Sequence, residues 1–168
     1  MKIGIIGPNI LYNASDGGLE HRKDLLAQVA EIVSMSGQEI VLTPDKGSLL
    51  EFFGNKYLEL NGKKIWIIAP MKDDAEKYLN LSLGEVIDCE TWFRQPSKFS
   101  EETDLFVCLG YSGGVLSELG ASKYFSPKKI VILNEFVSYK LPEEINQGLS
   151  LYYCSIYELR SLLNTSSS

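Results

Sequence analysis

Short apolar runs alternate along this chain with longer segments in which apolar residues recur at helical spacing. The runs have the length and composition of buried strands, and they fall at Lys2–Ile6, Glu39–Leu42, Lys64–Ala69, Glu85–Cys89, Leu105–Leu109, Lys129–Leu133 and Leu151–Cys154. The segments between them predict helices that end near Ser36–Gly37, run from Gly47 or Ser48 to about Leu60, cover Asp73–Leu79 and Gln95–Glu102, and begin near Gly113 or Gly114 and at Ser155.

This order of elements predicts the fold class. Strands that alternate with helices of this length form parallel sheets with helices packed on both faces. We therefore predict an α/β protein, Rossmann-like and doubly wound, with a mostly parallel sheet of six to seven strands and helices on both faces. A chain of 168 residues is long enough for one sizeable core. We expect residues 1–164 to form a single domain and the polar residues 165–168 to be a disordered tail.

Charge and composition limit the kinds of partner that the protein can have. The net charge of −6 argues against a nucleic-acid-binding surface, and the apolar runs are far shorter than a membrane span requires. The first strand begins at Lys2, without the layout of a signal peptide. The three cysteines are widely spaced, so we predict reduced core residues, with no disulfide, metal site or cofactor. Together these features predict a cytoplasmic protein.

The stretch Thr103–Tyr124 carries the strongest indication of a ligand site. A buried strand leads into a glycine-rich turn and then into a helix that begins at Gly113 or Gly114. A helix that starts at the carboxyl end of a parallel strand points its free N–H groups into the crevice there, where they attract anions. Glu118 lies about one turn into this helix and can reach a ligand in the crevice. The candidate ligand-binding residues of this stretch are Gly110, Ser112, Gly113, Gly114 and Val115.

Two other turns belong to the same edge of the predicted sheet, because all parallel strands end on one side. The turn after the first strand supplies Gly7, Pro8 and Asn9, and the turn after the second supplies Lys46 and Gly47. The spacing G-x-G-x-x-G is absent after the first strand, which disfavours a standard dinucleotide dehydrogenase. No G-x-x-x-x-G-K-[ST] motif occurs either, so ATPase chemistry of that type is excluded.

The stretch Gly110–Glu118 resembles the motif P-G-G-x-G-T-x-x-E of the nucleotide-binding proteins labelled lysine-decarboxylase-like, which include the "lonely guy" phosphoribohydrolases. Gly114 falls on the third motif glycine and Glu118 on the glutamate, while Arg94 is similar in placement to a family arginine. The resemblance covers most of the chain. It implies a Rossmann-like fold, usually dimeric, that binds nucleotides or cleaves the N-glycosidic bond of a nucleoside 5'-monophosphate.

The chain departs from the family pattern at several positions. Tyr111, Ser112 and Val115 replace two motif glycines and the threonine. The glycine-rich turn that the family has after its second strand is replaced by 43–47, in which Asp45 would repel a phosphate and Lys46 would offset that repulsion. These changes weaken a phosphate cradle built from backbone donors.

Three functions remain open from the sequence. In the first, the protein is a phosphoribohydrolase in which Glu118 stabilises an oxocarbenium-like state or activates water and Arg94 holds the phosphate or orients Glu118. In the second, it binds a nucleotide or sugar phosphate without turnover, as a sensor. In the third, it is a homodimeric scaffold with a degenerate site. The resemblance predicts a homodimer in each case, and the sequence alone does not choose among them.

Overall fold

The computed structural model describes residues 1–8, 18–125 and 129–165, with side chains described as far as residue 163. Its strands are Lys2–Ile6 (β1), Glu39–Leu42 (β2), Ile65–Ala69 (β3), Glu85–Asp88 (β4), Leu105–Cys108 (β5), Lys129–Leu133 (β6) and Ser150–Cys154 (β7). Its α-helices are Gly18–Met35 (α1), Leu49–Glu59 (α2), Gln95–Glu101 (α3), Gly113–Ser122 (α4), Glu143–Asn146 (α5) and Ile156–Thr165 (α6). No helix among these residues is long and apolar enough to cross a bilayer.

The seven strands form one sheet in the order β4-β3-β2-β1-β5-β6-β7. Every neighbouring pair is parallel. The chain builds outward from β1 to β4 and then returns to place β5 on the other side of β1. The predicted fold class is therefore confirmed, with seven strands rather than six.

Helices cover both faces of the sheet, as predicted. The alternating side chains of the central strands feed two apolar layers. One layer packs against α1, α2 and α6 and contains Phe53, Tyr57 and Leu159; the other packs against α3 and α4 and contains Phe99 and Leu119. Because both faces are covered, the central strands are continuous apolar runs, which explains why the sequence showed them so clearly.

Gly4 lets α3 lie close to the middle of the sheet. A Cβ atom at this position would stand 2.6 Å from the Phe106 ring and 2.8 Å from the Phe99 ring. The two rings stack over the glycine with their centroids 5.8 Å apart. The close approach brings the first residues of α3 to the carboxyl edge of β1 and β2.

Residues 71–83 differ from the prediction. The expected helix over Asp73–Leu79 is replaced by short 3₁₀ turns at Met71–Asp73 and Ala75–Lys77. Asp74 separates them with a φ of 50°, a left-handed conformation that no α-helix can contain. The segment instead bonds to the turn after β2, where Lys46 N donates to Tyr78 O at 2.8 Å and Asn80 N donates to Pro44 O at 2.9 Å.

Two smaller differences concern the end of the chain. The stretch before β7 contains the single-turn helix α5, which is not among the helices predicted from the sequence. Thr165, placed in the tail by the sequence, is the last residue of α6, and residues 166–168 lie outside the described residues.

Candidate functional site

The strand order reverses between β1 and β5, and a crevice of about 650 Å³ opens at the carboxyl ends of these strands. This is the position at which open parallel sheets bind their ligands. The lining comes from the end of β1, from the turns after β1, β2 and β3, from the starts of α2 and α3 and from the first two turns of α4. Its residues are Ile5, Ile6, Gly7, Thr43, Asp45, Leu50, Tyr78, Trp92, Gln95, Ser112, Gly113, Gly114, Val115 and Glu118.

The first turn of α4 faces this crevice with backbone donors. Ser112 is the N-cap residue: its Oγ accepts a hydrogen bond from Val115 N at 3.2 Å, and its carbonyl accepts one from Leu116 N at 2.9 Å. The amides of Gly113 and Gly114 have no hydrogen-bond partner among the described residues, as expected of the first amides of a helix. A Cβ atom at Gly113 would meet nothing within 4 Å, so the space beside these amides is open.

The turns after β1 and β5 support one another behind the crevice. Leu109 N donates to Ile6 O at 2.7 Å. Gly110 has a φ of 121°, which is available to glycine, and a Cβ atom there would approach Pro8 Cδ at 3.1 Å. Gly7 lines the crevice, whereas Pro8 is buried and Gly110 is not among the lining residues. Asn9 falls outside the described residues.

Glu118 is held by a side chain that the sequence did not single out. Gln95 Nε2, at the start of α3, donates to Glu118 Oε1 at 3.1 Å and to Thr43 Oγ1 at 3.0 Å. One amide group thus connects α3, α4 and the turn after β2. Glu118 Oε2 has no hydrogen-bond partner in the parts of the chain that the structure describes.

The surroundings of Glu118 favour its neutral form. Burial in the wall of the crevice raises the pKa of the Glu118 carboxyl to about 7, the hydrogen bond from Gln95 opposes this shift, and the negative charge of Asp45 adds to it. No Lys or Arg is found among the described lining residues. Near neutral pH, Glu118 therefore changes between a carboxyl group and a carboxylate.

Arg94 does not join Glu118 in this structure. Its guanidinium is exposed and pairs with Glu90 at 2.8 Å. The 3₁₀ turn Trp92–Arg94, capped by the Thr91 hydroxyl, precedes α3. The next residue, Gln95, is the one that reaches Glu118, so the expected pair of Arg94 and Glu118 is replaced by a pair of Gln95 and Glu118.

The turn after β2 is also arranged differently from the expectation. Lys46 Nζ bonds to the carbonyl of Glu76, and Gly47 N donates to the Glu51 carboxylate at 2.6 Å. Neither residue lines the crevice, whereas Asp45 does. Of the residues predicted to bind the ligand, Gly7, Ser112, Gly113, Gly114 and Val115 line the crevice.

Two partly exposed aromatic side chains, Trp92 and Tyr78, complete the lining. Trp92 comes from the 3₁₀ turn before α3 and Tyr78 from the turns after β3. Neither residue is among the site residues predicted from the sequence. Among the described residues no group of three or more His, Cys, Asp or Glu side chains is arranged to hold a metal ion.

Solved structures of other proteins share this fold. A molybdenum cofactor binding protein from Rippkaea orientalis matches 99% of the chain and 97% of its own length with a TM-score of 0.72 and 13% sequence identity. The Moco carrier protein from Chlamydomonas reinhardtii matches 98% and 95% with a TM-score of 0.73 and 12% identity. The protein TM1055 matches 98% of both chains with a TM-score of 0.72 and 12% identity.

Sequence comparison adds no family assignment. No protein-family model matches the chain, and a search of curated proteins gives no significant match. At 12–13% identity the structural matches show the fold alone, over nearly the whole of each chain.

Proposed function

We propose that this protein binds a small organic phosphate of nucleotide size in the crevice, with the phosphate at the start of α4. The observation that carries the proposal is the pair of unpartnered amides at Gly113 and Gly114, which face a cavity of about 650 Å³. Helix N-termini attract anions through these amides and the helix dipole. The volume lies within the range of roughly 300–1,000 Å³ that is usual for small-molecule sites.

The structural neighbours support a ligand-binding function. Two of them are named for binding or carrying the molybdenum cofactor. The cofactor is therefore one candidate ligand for this chain, beside nucleoside monophosphates and sugar phosphates.

Binding without turnover fits the side chains better than glycosidic hydrolysis. A hydrolase of the resembling family needs a carboxylate beside the anomeric carbon, together with an arginine. Here Glu118 has a pKa of about 7, raised mainly by burial, and its partner is the neutral Gln95. An oxocarbenium-like state would be stabilised only by the ionised fraction of Glu118.

A panel of nucleoside monophosphates, sugar phosphates and the molybdenum cofactor, measured by thermal shift and calorimetry, tests the binding proposal. A ligand at 100 times its dissociation constant stabilises the folded protein by about 2.7 kcal/mol. If no member of the panel shifts the melting temperature, the proposal is wrong.

A charge placed at the start of α4 gives a sharper test. Gly114→Asp adds an acid that suits the first turn of a helix but repels a bound phosphate. We expect its dissociation constant to rise at least tenfold, which corresponds to about 1.4 kcal/mol. The matched control, Gly120→Asp, carries the same charge on the same helix, where an added Cβ meets nothing within 4 Å, and lies outside the lining. Equal weakening by both variants would contradict the assignment of the phosphate position.

Hydrolysis is the second candidate function, favoured by the position of Glu118 in the crevice wall. Release of free base from nucleoside monophosphates, lost in Glu118→Gln, would establish it. Absence of release from every nucleotide that binds leaves the protein a binding module.

The oligomeric state predicted from the resemblance is part of the proposal. We expect a homodimer with twice the chain mass of 18.8 kDa. Light scattering on the purified protein measures this mass directly, and a monomer at micromolar concentration would contradict it.

A further inference from the structure

The crevice offers two opposite kinds of hydrogen-bonding group. At the start of α4 the groups are donors, the amides of Gly113 and Gly114. The carboxyl groups of Asp45 and Glu118 and the side chain of Gln95 also belong to the lining, and Glu118 lies about one turn into the same helix. The anion site does not need these carboxyl groups, because carboxylates repel a phosphate.

Gln95 has its donors committed within the protein. Its single amide nitrogen carries two hydrogens, and it donates to both Thr43 Oγ1 and Glu118 Oε1. The group that Gln95 has left to offer is its carbonyl oxygen, an acceptor. Glu118 Oε2 has no partner among the described residues and is also an acceptor when the carboxyl is ionised. This part of the wall therefore favours a ligand that brings N–H donors.

An aromatic surface lies in the same crevice. Trp92 and Tyr78 are both partly exposed and both belong to the lining. Exposed aromatic side chains in a nucleotide-sized cavity provide stacking surfaces for planar heterocycles. A ring stacked there would present its edge, rather than its face, to hydrogen-bonding groups of the wall.

From this arrangement we infer that the crevice selects a phosphate whose heterocyclic ring carries an exocyclic amine, with Glu118 and Gln95 as the residues that accept hydrogen bonds from the amine edge. The inference rests on the proposed function and adds to it the chemical class of the ring. It makes Glu118 a specificity-determining residue, whether or not hydrolysis occurs.

Pairs of nucleotides that differ in one amine test the inference. GMP differs from IMP by the 2-amino group, and CMP carries an amine where UMP carries an oxygen. Calorimetry at pH 8 should give at least one pair in which the amine-bearing member binds tenfold or more tightly. Ratios within threefold in both pairs, with binding still observed, overturn this inference and leave the proposed phosphate site intact. No binding of any nucleotide overturns both.

The wild-type protein provides a second readout through pH. Among the described residues, the titratable groups that face Glu118 are Asp45, after β2, and the Cys108 thiol of β5, whose pKa burial raises to about 12. Protonation of Glu118 converts its free acceptor into a donor. The preference for the amine should therefore shrink at least threefold between pH 8 and pH 5.5, while the ionisation of the phosphate cancels within each pair. If the ratio of the two affinities is the same at both pH values, other groups cause the preference for the amine and the role of Glu118 is contradicted.

Two variants test the residues assigned to the ring. Glu118→Gln keeps an acceptor for Gln95 and should bring the amine preference to within threefold of unity. Trp92→Ala should weaken both members of a pair by about tenfold. Its control is the neighbouring Phe93→Ala, because Phe93 is 93% exposed and does not line the crevice. An amine preference that persists in Glu118→Gln would contradict the role of Glu118.

Discussion

Replacing Glu118 by glutamine should change how the stability of the protein depends on pH. Burial in the crevice wall is the main cause of a pKa near 7, against an ordinary value of 4.5. The native state therefore holds a proton that the unfolded chain has already released. Between pH 4.5 and pH 7 the contribution of Glu118 to the free energy of unfolding falls as pH rises, and above pH 7 the full cost of the buried charge is present.

The size of the effect follows from the same shift. Each unit of pKa corresponds to about 1.4 kcal/mol, so the complete shift would amount to about 3 kcal/mol. Part of the Glu118 side chain remains exposed to solvent, which screens its charge. We therefore expect the buried charge to lower the free energy of unfolding by on the order of 1–2 kcal/mol. Glu118→Gln keeps an oxygen that can accept the hydrogen bond from Gln95, so the variant removes the charge with little change of packing.

Urea unfolding of wild type and Glu118→Gln between pH 5.5 and pH 8.5 measures this difference. The variant should gain stability over the wild type as pH rises, with the gap levelling above pH 7. Glu59→Gln removes an exposed carboxylate that pairs with Lys56 at the surface and serves as the control for losing an acid of the same type. If the curves of wild type and Glu118→Gln stay parallel over the whole range, Glu118 is not the neutral acid that the structure indicates.

Three further substitutions test the packing that positions the site. Ser112→Ala removes the N-cap of α4 and should cost about 1 kcal/mol in urea unfolding, with phosphate binding weakened in step if the first turn frays. Gly84→Ala would place a Cβ 2.3 Å from the carbonyl oxygen of Ile65 and should cost about 1–3 kcal/mol, whereas no loss would mean that β3 and β4 separate easily. Tyr57→Phe removes a hydroxyl that donates to Gln38 O at 2.6 Å and accepts from a backbone amide, and a loss of about 1–3 kcal/mol is expected by the same assay.

The sheet and its helices could be predicted because both faces of the central strands are covered. A strand buried on both sides is a continuous apolar run, and the glycine-rich turn after β5 showed where α4 begins. The prediction of a helix over Asp73–Leu79 was wrong because of contacts with a distant part of the chain, which the local sequence pattern does not show. Its residues bond to the turn after β2, about thirty residues earlier in the chain, and the left-handed Asp74 adapts them to that contact.

The crevice was harder to predict, because its lining depends on which of several neighbouring side chains points into it. Arg94 and Gln95 are neighbours, and the 3₁₀ turn capped by Thr91 decides which of them reaches Glu118. Lys46 likewise had the right position in the sequence, but its Nζ bonds to a carbonyl of the segment after β3. A motif comparison places a residue on an element, whereas long-range contacts decide where its side chain points.

The directions of these side chains determine the charge of the crevice and so the ligands that it can bind. With Arg94 paired to Glu90 at the surface, the described lining of the crevice contains carboxyl groups and no guanidinium or ammonium group. A phosphate in it depends on backbone amides at α4, and those amides lose their advantage if the ligand brings a second negative end toward Asp45. A neutral, amine-bearing ring beside Asp45 and Glu118 avoids this repulsion and donates a hydrogen bond that Glu118 can accept. Doubly anionic ligands such as sugar bisphosphates should therefore bind at least tenfold more weakly than amine-bearing nucleoside monophosphates, and equal affinity in calorimetry would show that the carboxyl groups of the crevice take no part in recognition.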